Sequence, residues 1–239
     1  MCIRDRINGK EYIVKTIVTT ETIKTIAERN GVEMYDVYTG FKWIANVMRE
    51  NEGKKNYIGG GEESYGFLCE DFVRDKDAVS ACVILAEIAA WAKDQGLSLY
   101  QLLQKIYVEY GFSKEKGISV VKKGKSGAEE IEAMMKKFRE NPLTEIAGSK
   151  VTYFYDYSTL KGKDYAENET VTLDMPTTSN VLQYFTEDNT KVSIRPSGTE
   201  PKIKFYCEVH SKVKSIDELP EAEKAAEEKI NQIKASLGI

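Results

Sequence analysis

Residues 12–20, Tyr-Ile-Val-Lys-Thr-Ile-Val-Thr-Thr, form a run so rich in β-branched side chains that it reads as a buried strand. Thr20 stands where it can cap a short helix with Ile23, Ile26 and Ala27 turned inward, and Gly31 is placed to end it. A second strand at residues 32–38 leads through Thr39-Gly40 into an amphipathic helix over 41–50. A third strand near Tyr57-Ile58 then runs into Gly59, Gly60 and Gly61. Strands that alternate with helices at this spacing demand an α/β sheet.

The alternation continues with a strand over residues 67–73. Asp75 and Asp77 precede a long apolar helix (Val79, Cys82, Val83, Ala86, Ala90) that stops at Gly96, and their charge suits a helix N-terminus. Ser98 and Gln101 have capping-box spacing before a helix with Leu99, Leu102, Leu103, Ile106 and Tyr110 inward and Gly111 closing it. Residues 113–125 turn polar and basic with only a short apolar run at 118–121, which places a domain boundary there. Two domains follow, 1–112 and 113–239.

Beyond that boundary the pattern changes. Ser126 and Glu129 have capping-box spacing for a helix with Ile131, Met134, Met135 and Phe138 inward, ended by Asn141-Pro142. Strands at 151–157, 170–173, 181–185, 191–195 and 203–209 then succeed one another, with Asp188-Asn189 as a hairpin turn. A last helix spans about 219–237. The fold class expected is α/β: a truncated α/β layer domain, then a small α+β domain with an antiparallel sheet and helices on one face.

Composition excludes several classes. The 239 residues are 41% hydrophobic and 30% charged, and no apolar run is long enough to cross a bilayer. The net charge is −4 with basic residues scattered among acids, so no basic stripe invites nucleic acid. The four cysteines lack CxxC spacing and His210 is the sole histidine, which sets structural zinc aside. Cys69 and Cys82 suit buried positions. No secretory leader is read, which fits reduced thiols and a cytoplasmic protein. The opening, residues 1–6, has neither strand nor helix logic and reads as a truncated gene start.

Two loops could carry chemistry. In Ile194-Arg-Pro-Ser-Gly-Thr-Glu-Pro-Lys-Ile-Lys204, an arginine fork, two hydroxyls and an approachable glycine backbone sit between two strands, which suits a phosphate. A polar hairpin tip is the bland alternative, and Lys202 and Lys204 weigh against it. In Gly59-Gly-Gly-Glu-Glu-Ser-Tyr-Gly66, Glu62 and Glu63 would repel a dianion but suit the hydroxyls of a sugar ring. A bulged strand end with solvated acids is the alternative there.

Together, Gly61-Glu-Glu-Ser-Tyr-Gly66 and the Arg195 loop resemble the third and fourth domains of the α-D-phosphohexomutase family, and most of all its phosphoglucomutase, phosphomannomutase and phosphopentomutase members. Thr39-Gly-Phe-Lys-Trp43, Arg74-Asp-Lys-Asp-Ala78 and Ile106-Tyr-Val-Glu-Tyr-Gly111 fit as well, so the likeness runs from about Tyr12 onward.

The resemblance implies that Arg195, Ser197, Gly198 and Thr199, with Lys204, clamp the substrate's phosphate. Glu62 and Ser64 read the sugar hydroxyls, and Lys42 reaches toward the same cleft. It implies an isomerase that interconverts sugar 1-phosphates and 6-phosphates through a bisphosphate with Mg2+. The family's phosphoserine loop and aspartate-rich metal loop are not found in this sequence. Asp75 and Asp77 are better read as helix caps and His210 as a strand residue. No catalytic residue and no metal ligand is therefore assigned, and the free chain is expected to bind a phosphosugar weakly without turnover. The alternative is a stand-alone, non-catalytic sugar-phosphate binding module.

Overall fold

The computed structural model describes residues 9–122, 124–198 and 200–239. The opening read as a truncated start lies outside them. The chain divides into two compact units between Gly111 and Phe112.

In the first unit, strands β1 (Glu11–Thr16), β2 (Glu33–Val37), β3 (Asn56–Gly61) and β4 (Phe67–Cys69) form a sheet in the order β2-β1-β3-β4. β1 pairs in parallel with β2 and β3, and β4 closes the edge antiparallel to β3. Helix α1 (Thr22–Arg29) joins β1 to β2, and α2 (Phe41–Asn51) joins β2 to β3. Tyr12 and Val14 alternate onto one face of β1 and pack with Val37, Phe41, Ile44, Met48, Tyr57 and Leu68 as the buried core. β1 ends sooner than the β-branched run suggests, because Thr19 N–H donates to Thr16 O at 2.9 Å and turns the chain. Thr20 Oγ1 accepts from Thr22 N–H at 3.2 Å, but the N-cap of α1 is Glu21, which makes no side-chain cap bond.

Helices α3 (Ala78–Asp94) and α4 (Leu99–Tyr110) complete the unit. Asp77 caps α3 through Val79 and Ser80 N–H, and Ser98 and Gln101 form a capping box at the start of α4. One expectation is corrected here. Sequence gives Cys82 of α3 a buried position and turns Leu99, Leu102, Leu103, Ile106 and Tyr110 of α4 inward, yet Cys82 is exposed with Val79 and Trp91 beside it on α3, no residue of α4 is buried, and Leu99 and Leu103 are exposed. Ala92 alone among the residues of α3 is buried. Residue type records a preference for burial, and apolar side chains still make up much of a folded surface.

The second unit is an antiparallel sheet backed by helices. Its strands are β5 (Phe112–Val121), β6 (Glu145–Ile146), β7 (Ser149–Asp156), β8 (Lys161–Asp164), β9 (Glu169–Thr172), β10 (Leu182–Thr186), β11 (Lys191–Pro196) and β12 (Lys202–Ser211). They run in the order β5-β12-β11-β10-β7-β8-β9, with β6 paired to β7. Helices α5 (Gly124–Glu140) and α6 (Leu219–Leu237) cover one face. That face is apolar: Val192, Ile194, Ile203, Phe205, Cys207, Leu182 and Tyr184 are buried against Ile131, Met135 and Phe138 of α5 and Ile230 and Ile233 of α6. The Phe138 and Phe205 rings meet edge to face at 6.3 Å.

The opposite face is polar. Tyr157 Oη donates to Gln183 Oε1 at 2.6 Å, and Gln183 Nε2 donates to Ser193 Oγ at 2.8 Å. Glu208, also buried, lies 2.9 Å from Lys191 Nζ, and its other oxygen is 2.7 Å from His210 Nε2. Burial pushes the Glu208 carboxyl up; His210 and Lys191 outweigh it and hold the group well below the usual carboxylate range. His210 thus lies in a strand, beside a buried acid.

Two further readings are corrected. The polar segment at 113–125 is largely strand β5, paired residue for residue with β12 from Phe112↔Ser211 to Val121↔Lys202. Helix α5 starts at Gly124, so Ser126 lies inside it and does not cap it.

Candidate functional site

The glycine run is a strand and not a loop. Gly59, Gly60 and Gly61 pair with Ile13, Val14 and Lys15 of β1 on one side and with Cys69, Leu68 and Phe67 of β4 on the other. A Cβ on Gly60 would meet the Val14 carbonyl oxygen at 2.1 Å, and one on Gly61 would meet Gly66 O at 2.5 Å. These glycines let backbones approach where no side chain fits.

The turn that follows is closed by Glu62 N–H donating to Gly66 O at 2.7 Å. It presents Glu62 and Ser64, both read as sugar-binding, at the carboxyl ends of β1 and β3. That end of an open α/β sheet is where ligands bind. Glu62 Oε1 accepts from Gly40 N–H at 2.5 Å, so its carboxylate sits at the N-terminus of α2, where negative charge is favoured. Gly40 itself has φ 121°, a conformation open to glycine. Lys42 is in the first turn of the same helix, exposed, with Nζ 5.1 Å from the centre of the Trp43 ring. Trp43 in turn packs edge to face on Tyr38 at 5.8 Å.

Glu62 and Lys42 are therefore brought to one helix end. Ser64 is exposed in the adjoining turn and donates to Glu63 Oε1 at 3.1 Å. Glu63 Oε2 also lies 3.4 Å from Thr16 Oγ1, which is 2.8 Å from Thr19 Oγ1. This anchoring of the turn to Gly40 and to Thr16 was not read from sequence. Its partners are 22 and 47 residues apart in the chain, and no local pattern signals them.

In the second unit, Arg195 and Lys204 are direct cross-strand neighbours on β11 and β12. Strand alternation puts Ile194 and Phe205 on the helix face and this pair on the other. Neither cation has a carboxylate partner among the described residues. Like charges directly opposite on a sheet are unfavourable, so the pair leaves a local positive potential that an anion would relieve. The turn between the strands is pinned by Ser197 N–H to Lys202 O and by Lys202 N–H to Glu200 O, both at 2.7 Å. Ser197 is half-buried and Gly198 exposed at its tip. Thr199 lies outside the described residues. Lys202, in contrast, is paired with Glu200 at 3.2 Å.

The donor chemistry does not fit a metal. Asp75 holds Lys76 at 3.0 Å, and Asp77 is committed to the amides of Val79 and Ser80. Among the described residues, no group of three or more His, Cys, Asp and Glu side chains could hold an ion. No helix among them is long and apolar enough to cross a membrane.

A mostly parallel sheet with an acid-bearing turn makes one unit of the chain, and an antiparallel sheet backed by helices, with Arg195 beside its β11–β12 turn, makes the other. The sequence matches two family descriptions: "Phosphoglucomutase/phosphomannomutase, alpha/beta/alpha domain III" over residues 1–110, and "Phosphoglucomutase/phosphomannomutase, C-terminal domain" over residues 119–226. The chain belongs to the phosphoglucomutase/phosphomannomutase family.

Among its relatives, a phosphoglucomutase of Staphylococcus haemolyticus is 36% identical over 198 residues, which cover 83% of this chain and 36% of the relative. A phosphoglucomutase of Staphylococcus aureus is 40% identical over 194 residues, covering 81% and 35%. The chain thus spans about a third of the length of these relatives. In fold it is similar to the open form of parafusin, a phosphoglucomutase from Paramecium (TM-score 0.56, 19% identity, 85% of this chain and 33% of that one). It is likewise similar to a putative phosphomannomutase from Thermus thermophilus (TM-score 0.55, 18% identity, 94% and 38%).

Proposed function

We propose that this chain carries substrate-binding units of a phosphosugar mutase: the second unit seats the phosphate and the first reads the sugar. Arg195 grips the phosphate with its planar fork, Ser197 and the Gly198 N–H donate to it, and Lys204 adds charge. Thr199 joins them by resemblance. Glu62 and Ser64 take sugar hydroxyls, with Lys42 beside them. Ser64 gives its hydrogen to Glu63, so its oxygen is left as an acceptor for a sugar O–H. The observation that supports this reading is the cross-strand pair Arg195 and Lys204, without a carboxylate partner among the described residues and with Lys204 over the Tyr206 ring at 5.9 Å, flanking a pinned turn.

The reaction proposed for the family role is exchange of a phosphoryl group between the 1- and 6-positions of a hexose through a bisphosphate. The intermediate must turn round, and a readout made of hydroxyl-accepting groups tolerates both orientations. Mg2+ would supply charge neutralisation of the moving phosphoryl group. The side chains of the described residues do not fit it.

Isothermal titration of the chain with glucose 1-phosphate tests the assignment. Arg195→Ala is expected to cost about 2–3 kcal/mol of affinity, the worth of a charge-assisted pair. Glu62→Gln is expected to weaken glucose 1-phosphate while leaving inorganic phosphate unchanged. Unaltered binding in Arg195→Ala would show that the anchor is misassigned.

A further inference from the structure

Helix α5 and the turn after β11 stand apart, and the space between them is a crevice of about 980 Å3. Small-molecule sites span about 300–1,000 Å3. The crevice lies within the second unit on the helix side of the sheet, whereas Arg195 and Lys204 alternate to the other side.

Its floor is apolar, made by the buried side chains of Ile131 and Met135 with Pro196 and Pro201 beside them. One end carries Arg139 and Asn180. Asp156 accepts from Arg139 Nε at 3.0 Å, and Asn180 Oδ1 accepts from Nη2 at 2.7 Å. These bonds fix the guanidinium plane and settle the amide orientation. The Nη1 hydrogens and the Asn180 NH2 are then left as donors with no partner among the described residues. Glu132, Glu140 and Glu200 line the crevice as well. Lys136, also in the lining, lies 3.8 Å from Glu140, and Glu200 holds Lys202 at 3.2 Å, so Glu132 is the one carboxylate of the three without an ion-pair partner among the described residues; a single negative charge on an apolar body would meet donors at one end and hydrocarbon below.

We propose that this crevice is a second ligand site, distinct from the phosphate seat, for a small amphipathic carboxylate. Ser197 and Gly198 form part of its wall and also belong to the turn assigned to the phosphate. Two backbone bonds hold the ends of that turn, Ser197 N–H to Lys202 O at 2.7 Å and Lys122 N–H to Pro201 O at 2.9 Å. An occupant that presses on the wall therefore changes phosphate affinity, and phosphate changes the occupant's affinity by the same factor.

The test is a heteronuclear NMR titration of the whole chain with 3-phenylpropionate as the probe. Saturable shifts of the Arg139 Nε–H, the Asn180 NH2 and the α5 amides are expected. Inorganic phosphate should still bind at saturating probe, with its Kd altered about fivefold or more. Ala128→Trp, at an exposed position on the lip, should abolish the probe shifts without touching phosphate binding. Asn180→Leu should weaken the probe alone.

Absence of saturable shifts up to about 20 mM, ample for a ligand of this size, would overturn the site. So would displacement of the probe by phosphate, which would make the crevice merely an annex of the phosphate seat. An unchanged phosphate Kd would overturn the coupling. Failure of the proposed function gives a different pattern, with the probe bound and phosphate unbound.

Discussion

Asp188 shows how one side chain can hold a turn. It sits between β10 and β11, where its carboxylate accepts from the Thr186 and Thr190 hydroxyls at 2.7 and 2.9 Å and pairs with Lys229 of α6. Burial pushes its pKa up, but Lys229, Thr186 and Thr190 prevail and lower it to about 2. The unfolded value is about 3.9, so the folded group is the stronger acid. Its stabilisation is complete above about pH 4 and is lost as pH falls through about 2. Because the carboxylate is 41% exposed, solvent screening reduces the contribution to about 1 kcal/mol. Asp188→Asn should lower the urea midpoint accordingly at pH 7 and converge on the parent chain near pH 2; an NMR titration giving an ordinary aspartate value would refute this. Sequence marked Asp188-Asn189 as a turn because the cue is local, and Asn189 takes φ 63° there. The distant partner, Lys229, left no such cue. Gly60 was legible only as a glycine in a run: loops and close approaches use the same residue, and the Val14 carbonyl that forbids a side chain is visible only once β1 and β3 are paired.

The capped helices were the most legible elements. Ser98 and Gln101 bond each other's backbone N–H at 3.2 and 2.8 Å, as their spacing implied. Ser98→Ala should cost about 1 kcal/mol, measured as a lowered urea midpoint with α4 losing its first turn. β5 was legible only in part, and the reason is physical. It is an edge strand with β12 as its single neighbour, and its middle residues Glu115, Lys116 and Gly117 are exposed. Without two buried faces the apolar alternation fades, and charges on an edge also discourage pairing with other chains. β8, with the sequence Lys-Gly-Lys-Asp, gave no signal at all. It is held by backbone pairing to β7 and β9, and the Tyr155 ring occupies the space over Gly162. α3 is the reverse case, an unmistakable helix whose assumed burial did not hold.

On the scale of the whole molecule, the two turns proposed for recognition sit on two separately built sheets, in a chain that spans about a third of its relatives' length. The family was legible because both turns are short contiguous strings. The phosphoryl donor and metal groups that the proposed chemistry needs are not among the strings found. The chain given glucose 1-phosphate, glucose 1,6-bisphosphate and Mg2+ should therefore produce no glucose 6-phosphate above the blank in a coupled dehydrogenase assay, while calorimetry still records binding. Turnover at any catalytic rate would refute this and place a phosphoryl donor within the chain. Trp43 and Trp91 are the only two tryptophans, and both belong to the first unit. Indole emission is thus a one-sided witness: Trp43, under the Lys42 ammonium, should change colour when a sugar settles nearby, whereas events at the arginine turn stay optically silent unless a reporter is engineered in.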